Sequence, residues 1–322
     1  VLGSGATDLL SAATARAASD VPATSQPTAS SAAPPSYVRR VIFETDDEVP
    51  IQLVATYAPP AGGSRKRRVP VVILLHDAGE DRSRFDPLFP ALHRAGLATL
   101  AIDLRGHGES VEPAVLKLRP RAERHDPKLF RDMRNDIQAA YRWLVRRPEI
   151  DPARFVLVGV GVGGGIALDY AVRDKSVDGV VTLAPKLDEV GPDPIASARK
   201  FTMRRLLLVS TPSDRAAVGA ISPLVAKSVV KHLAARSVTA SGQIETGAST
   251  RLFGHLPGLE TVVTEFCLET AGPASAAPMV ASLKGSTYYD LSSPQVDSLT
   301  PENLRYFSSA AEAQARGYQP PK

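Results

Sequence analysis

A series of continuous apolar runs limits the fold of this chain most. Residues 69–75 read Val-Pro-Val-Val-Ile-Leu-Leu, and similar runs recur at 98–102, 155–158, 179–183 and 206–209. A run with no polar face marks a strand covered on both sides, the situation of a parallel sheet flanked by helices. Between the runs, apolar residues fall at spacings of three and four. This happens over 87–95, over 129–145 (Phe130, Met133, Ile137, Ala140, Tyr141, Leu144), and over 164–172, 223–233 and 261–268. That spacing predicts amphipathic helices. Strand alternating with helix predicts an α/β fold with a mostly parallel sheet. Before the first run, 38–44 and 51–57 alternate apolar and polar residues, which predicts two antiparallel strands.

The flanks differ in composition. Residues 1–36 are dominated by Ala, Ser, Thr and Pro and read as a disordered linker. The α/β pattern occupies 37–272, a Pro/Ala/Ser spacer follows at 273–278, and 279–322 form a small terminal α+β module. A linker of this kind often tethers an exported domain, so the expected location is extracytoplasmic. No apolar run approaches the ~18 residues of a membrane span. The net charge is +4, with basic clusters at 65–68 and 119–134, the second interrupted by Glu123, Asp126 and Asp132. Without aromatic interleaving these read as solvated faces, and no nucleic-acid partner is expected. The single cysteine, Cys267, lies in a predicted helix and reads as a buried core thiol. The six histidines lack ligand spacing, so neither metal nor cofactor is expected. Nothing in the sequence fixes an oligomeric state.

One segment has the context of a nucleophile-bearing turn: a buried strand, the glycine turn Gly159-Val160-Gly161-Val162-Gly163, then a helix. Four others accompany it in order. They are Leu74-Leu75-His76-Asp77-Ala78-Gly79, Asp103-Leu104-Arg105-Gly106-His107-Gly108-Glu109-Ser110, Leu206 through Asp214, and Phe253-Gly254-His255. Together they resemble the α/β-hydrolase superfamily: the nucleophile elbow, the loop after the third strand that lends an oxyanion-hole amide, the turn after the fourth strand, and the late acid and histidine. The order nucleophile, acid, histidine is the one this fold uses. The stretch 184–201 is too short for a lid domain, so the resemblance is to small, dienelactone-hydrolase-like members. It implies a catalytic site at position 161 with Asp214 and His255, and an oxyanion hole from the amides of Ala78 and Val162.

The departures matter more than the match. Position 161 is glycine, which has no side chain to attack a carbonyl. Losing a triad nucleophile costs about 10⁶ in kcat in a well-studied serine protease. Asp77 stands where the family usually has glycine and brings a carboxylate towards a site meant for an oxyanion. Other readings compete. Asp214 and His255 are either surviving acid and base or loop residues aligned by chance. His76 reads as a partly buried histidine bonding loop backbone, His107 as a turn residue, and Asp103 as a cap for the turn at Arg105-Gly106. Gly159, Gly161 and Gly164 also fit a dinucleotide-binding Gly-x-Gly-x-x-Gly.

The terminal module carries Pro301-Glu302-Asn303-Leu304 and Gly317-Tyr318-Gln319-Pro320, and resembles the zinc-binding module of Ada-type proteins. Ser293 and Pro321 stand at places the family gives to cysteine ligands, so the resemblance implies lost metal binding, with Tyr306, Phe307 and Tyr318 as a small core. The expected function is that of a catalytically inactive hydrolase-fold protein that binds a small-molecule ligand or a protein partner in its cleft. Two alternatives stand beside it. One is an atypical esterase or lactone hydrolase in which His255, oriented by Asp214, activates water. The other is a cell-envelope interaction protein.

Overall fold

The computed structural model describes residues 35–64, 67–187, 190–201, 204–210, 212, 214–233, 252–253, 256–272, 279–282, 284–290, 293–299, 304–307 and 309–321. The linker expected over 1–36 therefore lies almost wholly outside the described residues. Residues 35–322 form one compact unit.

The main sheet has eight strands: β1 (Arg39–Glu44), β2 (Gln52–Ala58), β3 (Val69–Leu75), β4 (Ala98–Ile102), β5 (Ile150–Val160), β6 (Val177–Leu183), β7 (Arg205–Ser210) and β8 (Ser228–His232). Their spatial order is β1-β2-β4-β3-β5-β6-β7-β8. The β1–β2 and β2–β4 pairs are antiparallel, and every later pair is parallel. The apolar runs are the parallel strands, and every residue of β3 is buried.

Side chains alternate across the sheet, so β3 feeds two cores. Val71, Ile73 and Leu75 pack with Phe130, Ile137, Leu144 and Ile166 on one face. Val72 and Leu74 pack with Phe85, Phe89, Val263 and Phe266 on the other. The first face is covered by α2 (Leu118–Glu123), α3 (Pro127–Asp132), α4 (Arg134–Val145), α5 (Val162–Arg173), α6 (Pro194–Lys200) and α7 (Arg215–Ile221); the second by α1 (Phe89–Arg94) and α8 (Leu259–Ala271). Cys267 is buried in the second core, and burial pushes its thiol far up, so it is no thiolate.

Two expected helices need correction. Residues 223–233 are not helical: a short 3-10 turn at Ser222–Leu224 leads into β8, the edge strand beside β7. The helix expected over 129–145 is two helices, α3 and α4, meeting at Met133. Asp126 starts α3 by accepting the amides of Lys128 and Leu129.

The terminal module is a three-stranded antiparallel sheet, β10 (Tyr288–Asp290), β9 (Met279–Ser282) and β11 (Leu304–Phe307) in that order, followed by α9 (Ala310–Ala315). Its core joins Ala281, Tyr288, Phe307, Ala313 and Tyr318, with the Phe307 and Tyr318 rings 5.2 Å apart. The Tyr306 side chain lies outside the described residues. β11 packs against β5, so the module leans on the central strand of the large sheet.

Candidate active site

Strands β3, β4 and β5 run parallel, so their C-terminal ends meet at one edge of the sheet. There the turn from β5 into α5 is made by Gly161, at φ 52° and ψ −119°. L side chains rarely adopt this conformation, and it is the strained geometry of a residue pushed out between a strand and a helix. Gly163 is needed for another reason. A β-carbon there would strike the carbonyls of Leu75 and His76, because the first turn of α5 rests on the end of β3. The other glycines of the turn have packing reasons of their own: a β-carbon on Gly159 would strike the backbone of Gly163 and Gly164, and one on Gly164 would press on Thr182.

The loop after β3 brings Asp77 to the same turn. Its Oδ1 accepts the amide of Val162 at 2.9 Å and the amide of Ala78 at 2.9 Å. These are the two amides that the hydrolase resemblance assigns to an oxyanion hole. Its Oδ2 lies 2.7 Å from Lys186 Nζ. A β-carbon built on Gly161 would overlap all three atoms of the Asp77 carboxyl group. The carboxylate thus fills the space into which a side chain at position 161 would project, and takes both amides. It is 2% exposed.

His76 holds this loop in place. Its Nε2 accepts the amide of Leu104 at 3.0 Å, so Nδ1 carries the proton and donates to the carbonyl of Asp77 at 2.7 Å. The ring is fully buried rather than partly so, and burial, reinforced by nearby His107, pushes its pKa down to about 3. His76 is a neutral strut. Burial also lowers the pKa of His107, which sits at 5.0 Å from the His76 ring and in the turn after β4. Asp103 closes that turn, accepting the amides of Glu109 at 2.7 Å and Arg82 at 2.8 Å, with the Arg82 guanidinium against its Oδ2. Arg105, 3% exposed, donates to Asp136 at 2.7 Å and to Asp47 at 2.7 Å. Burial opposes its charge, yet the two carboxylates outweigh burial and raise its pKa. Burial pushes Asp136 up to about 6, with Arg105 pulling against it.

Asp214 starts α7, half-buried, just beyond the end of β7. His255 and Gly254 lie outside the described residues, between buried Phe253 and Leu256. Sequence reasoning did not single out Lys186, which lies on the loop after β6 and follows Ala184 at φ 47°. Nor did it single out Ser210 and His232, register partners at the ends of β7 and β8 whose Oγ and Nδ1 are 2.5 Å apart. Nothing in the sequence marks Lys186 except the need of a buried carboxylate for a counter-charge. Reading 223–233 as helix hid the Ser210–His232 pair. Among the described residues, no group of three His, Cys, Asp or Glu is placed to hold a metal ion, and no helix is long and apolar enough to cross a membrane.

A mostly parallel sheet with helices on both faces and an extruded turn between β5 and α5 defines an α/β-hydrolase fold. More narrowly, the family model described as serine aminopeptidase, S33 matches residues 66–260, more than half of the chain, and the chain belongs to that family. An uncharacterized protein of Mycobacterium tuberculosis is 32% identical over 189 residues, covering 58% of this chain and 58% of that protein's length. Dienelactone hydrolase from Anabaena variabilis superposes with TM-score 0.51 at 23% identity, over 73% of this chain and 97% of that one. Acetyl xylan esterase from Paenibacillus sp. R4 gives TM-score 0.55 at 18% identity, over 72% and 84%. These two likenesses show the fold.

Proposed function

We propose that this protein is a hydrolase-fold protein that does not carry out acyl transfer, and that its cleft serves to bind a small molecule or a protein partner. Acyl transfer needs a nucleophile and donors waiting for a developing oxyanion. Position 161 offers no nucleophile. The observation that carries the reading is the Asp77 carboxylate, whose Oδ1 already takes the amides of Val162 and Ala78. A tetrahedral oxyanion would have to expel a bonded carboxylate, and Coulomb repulsion from a neighbouring anion works against it. The same charge opposes the alternative in which His255 activates water on an ester, since that path also develops an oxyanion. In this reading the terminal module, without the ligands that its Ada-type resemblance would require, is a packing element against β5. An extracytoplasmic location belongs to the proposal and rests on the Ala/Ser/Pro-rich residues 1–36.

The test is an assay of wild-type protein on short-chain p-nitrophenyl esters. The expected result is no turnover above the uncatalysed rate. Turnover that survives replacement of exposed serines and disappears in His255→Ala would overturn the proposal in favour of direct water activation.

A further inference from the structure

The positive charge of this chain is not spread along it. Residues 117–134 hold seven Lys and Arg against three Asp and Glu, a net of +4, which equals the net charge of all 322 residues. The remainder of the chain is neutral on balance. These residues build α2 and α3, which turn Leu118, Ala122, Leu129 and Phe130 into the core and leave Lys117, Arg119, Arg124 and Arg131 exposed. Arg121 pairs with Asp126 and Lys128 with Asp132, each at 2.7 Å. These pairs use up two of the three acids. Among the described residues, no carboxylate pairs with Lys117, Arg124 or Arg131.

An apolar tip adjoins the cations. Val115 is 77% exposed, the most exposed large hydrophobic among the described residues, and it sits on a 3-10 turn (Ala114–Leu116) directly before Lys117. The flap lies at the same end of the sheet as Asp77 and Gly161. It is seated on the turn after β4, where Gly106 backs directly onto Leu118 and Ala122.

We propose that this flap docks on an anionic phospholipid bilayer, with Val115 entering the interface and Lys117, Arg119, Arg124 and Arg131 lying over the headgroup charge. Charge complementarity calls for an anionic partner. The exposed aliphatic tip favours a lipid interface. A single strand would call for aromatic faces to stack on, and the one phenylalanine of the segment, Phe130, is buried; a duplex would engage the cations but give the exposed Val115 no apolar surface to enter. The inference does not depend on the state of the cleft, so its test fails or succeeds independently of the ester assay.

The experiment is co-sedimentation of the full chain with vesicles of phosphatidylcholine alone and of phosphatidylcholine with one quarter phosphatidylglycerol. The expected result is binding to the anionic vesicles only, falling steeply when salt is raised to 1 M, where the Debye length shrinks to about 3 Å. Each cation near the surface contributes roughly fivefold, so Lys117→Gln/Arg124→Gln/Arg131→Gln should weaken binding on the order of 100-fold. Val115→Ser should weaken it several-fold. All four positions are exposed, so a thermal melt matching wild type checks that the variants are folded. Equal binding to both vesicles, no binding to either, or wild-type binding by the triple variant overturns the proposal. Stronger retention on a single-stranded or duplex oligonucleotide than on anionic vesicles also overturns it, in favour of a nucleic-acid surface.

Discussion

A side chain on Gly161 and the carboxylate of Asp77 cannot both hold the place that the carboxylate takes here. The β-carbon would fall on the carboxyl group itself. The glycine leaves a space, and the aspartate from the neighbouring loop fills it and takes the two amides that face it. The two departures from the family pattern are one structural arrangement, each accommodating the other.

The first consequence is energetic coupling. Gly161→Ala should destabilise the protein by about 1–3 kcal/mol, since alanine is strained at φ 52° and meets the carboxylate. In an Asp77→Gly background only the backbone strain remains. Urea unfolding of the two single variants, the double variant and wild type should give a coupling of about 0.5–3 kcal/mol. Strict additivity would show that the two positions ignore each other.

Lys186 should matter only while Asp77 is present. Its ammonium lies 2.7 Å from Oδ2, but its side chain is about one-third exposed, so solvent screens the pair. Lys186→Met should cost about 1 kcal/mol in wild type and almost nothing in Asp77→Gly. An equal cost in both backgrounds would mean that Lys186 acts through other contacts.

The turn after β4 rests on a different pair. Arg105 and Asp136 are both buried, and removing Asp136 takes one of the two carboxylates from the buried guanidinium, leaving Asp47 alone, and also leaves the Arg105 amide without its acceptor. Asp136→Ala should lower unfolding free energy by about 2–3 kcal/mol, measured in denaturant, whereas a surface change such as Lys128→Ala should be near neutral. A loss under 1 kcal/mol for Asp136→Ala would contradict the burial of that charge.

His76 gives a pH signature. Its folded pKa is pushed down to about 3 from an ordinary 6.5, so between those values the unfolded chain binds a proton that the folded chain refuses. Stability from the neutral ring is fully present above pH 6.5 and is lost as pH falls towards 3, at about 1.4 kcal/mol per pH unit. Asp136, raised to about 6, pulls the other way over its own window. The comparison is therefore between wild type and His76→Gln from pH 4.5 to 6, where wild type should show the steeper loss by roughly one proton. Parallel slopes would mean that His76 is charged in the fold.

Much of this architecture was legible in the sequence because the central strands have no polar face. The runs at 69–75 and 98–102 coincide with β3 and β4 to the residue. β8 escaped because an edge strand is half-exposed: Ser228–His232 has no buried position, so its few apolar residues matched a helical spacing equally well. The break at Met133 escaped because apolar spacing continues through it. At the site, the glycine at 161 and the aspartate at 77 are visible in one dimension, but not their overlap. The sequence suggested a charge that would oppose an oxyanion. The fold puts that charge on the amides themselves, which follows only once β3 and β5 lie side by side.

The central claim is that Asp77 occupies the place of a transition-state oxyanion, and the most direct test is ester turnover by Gly161→Ser compared with Asp77→Gly/Gly161→Ser, both confirmed folded. The account predicts that the single variant, in which the serine crowds the carboxylate but leaves its charge beside the two amides, turns over far more slowly than the double variant. Equal turnover above background by the two variants would mean that the carboxylate yields freely to an oxyanion, and would contradict it.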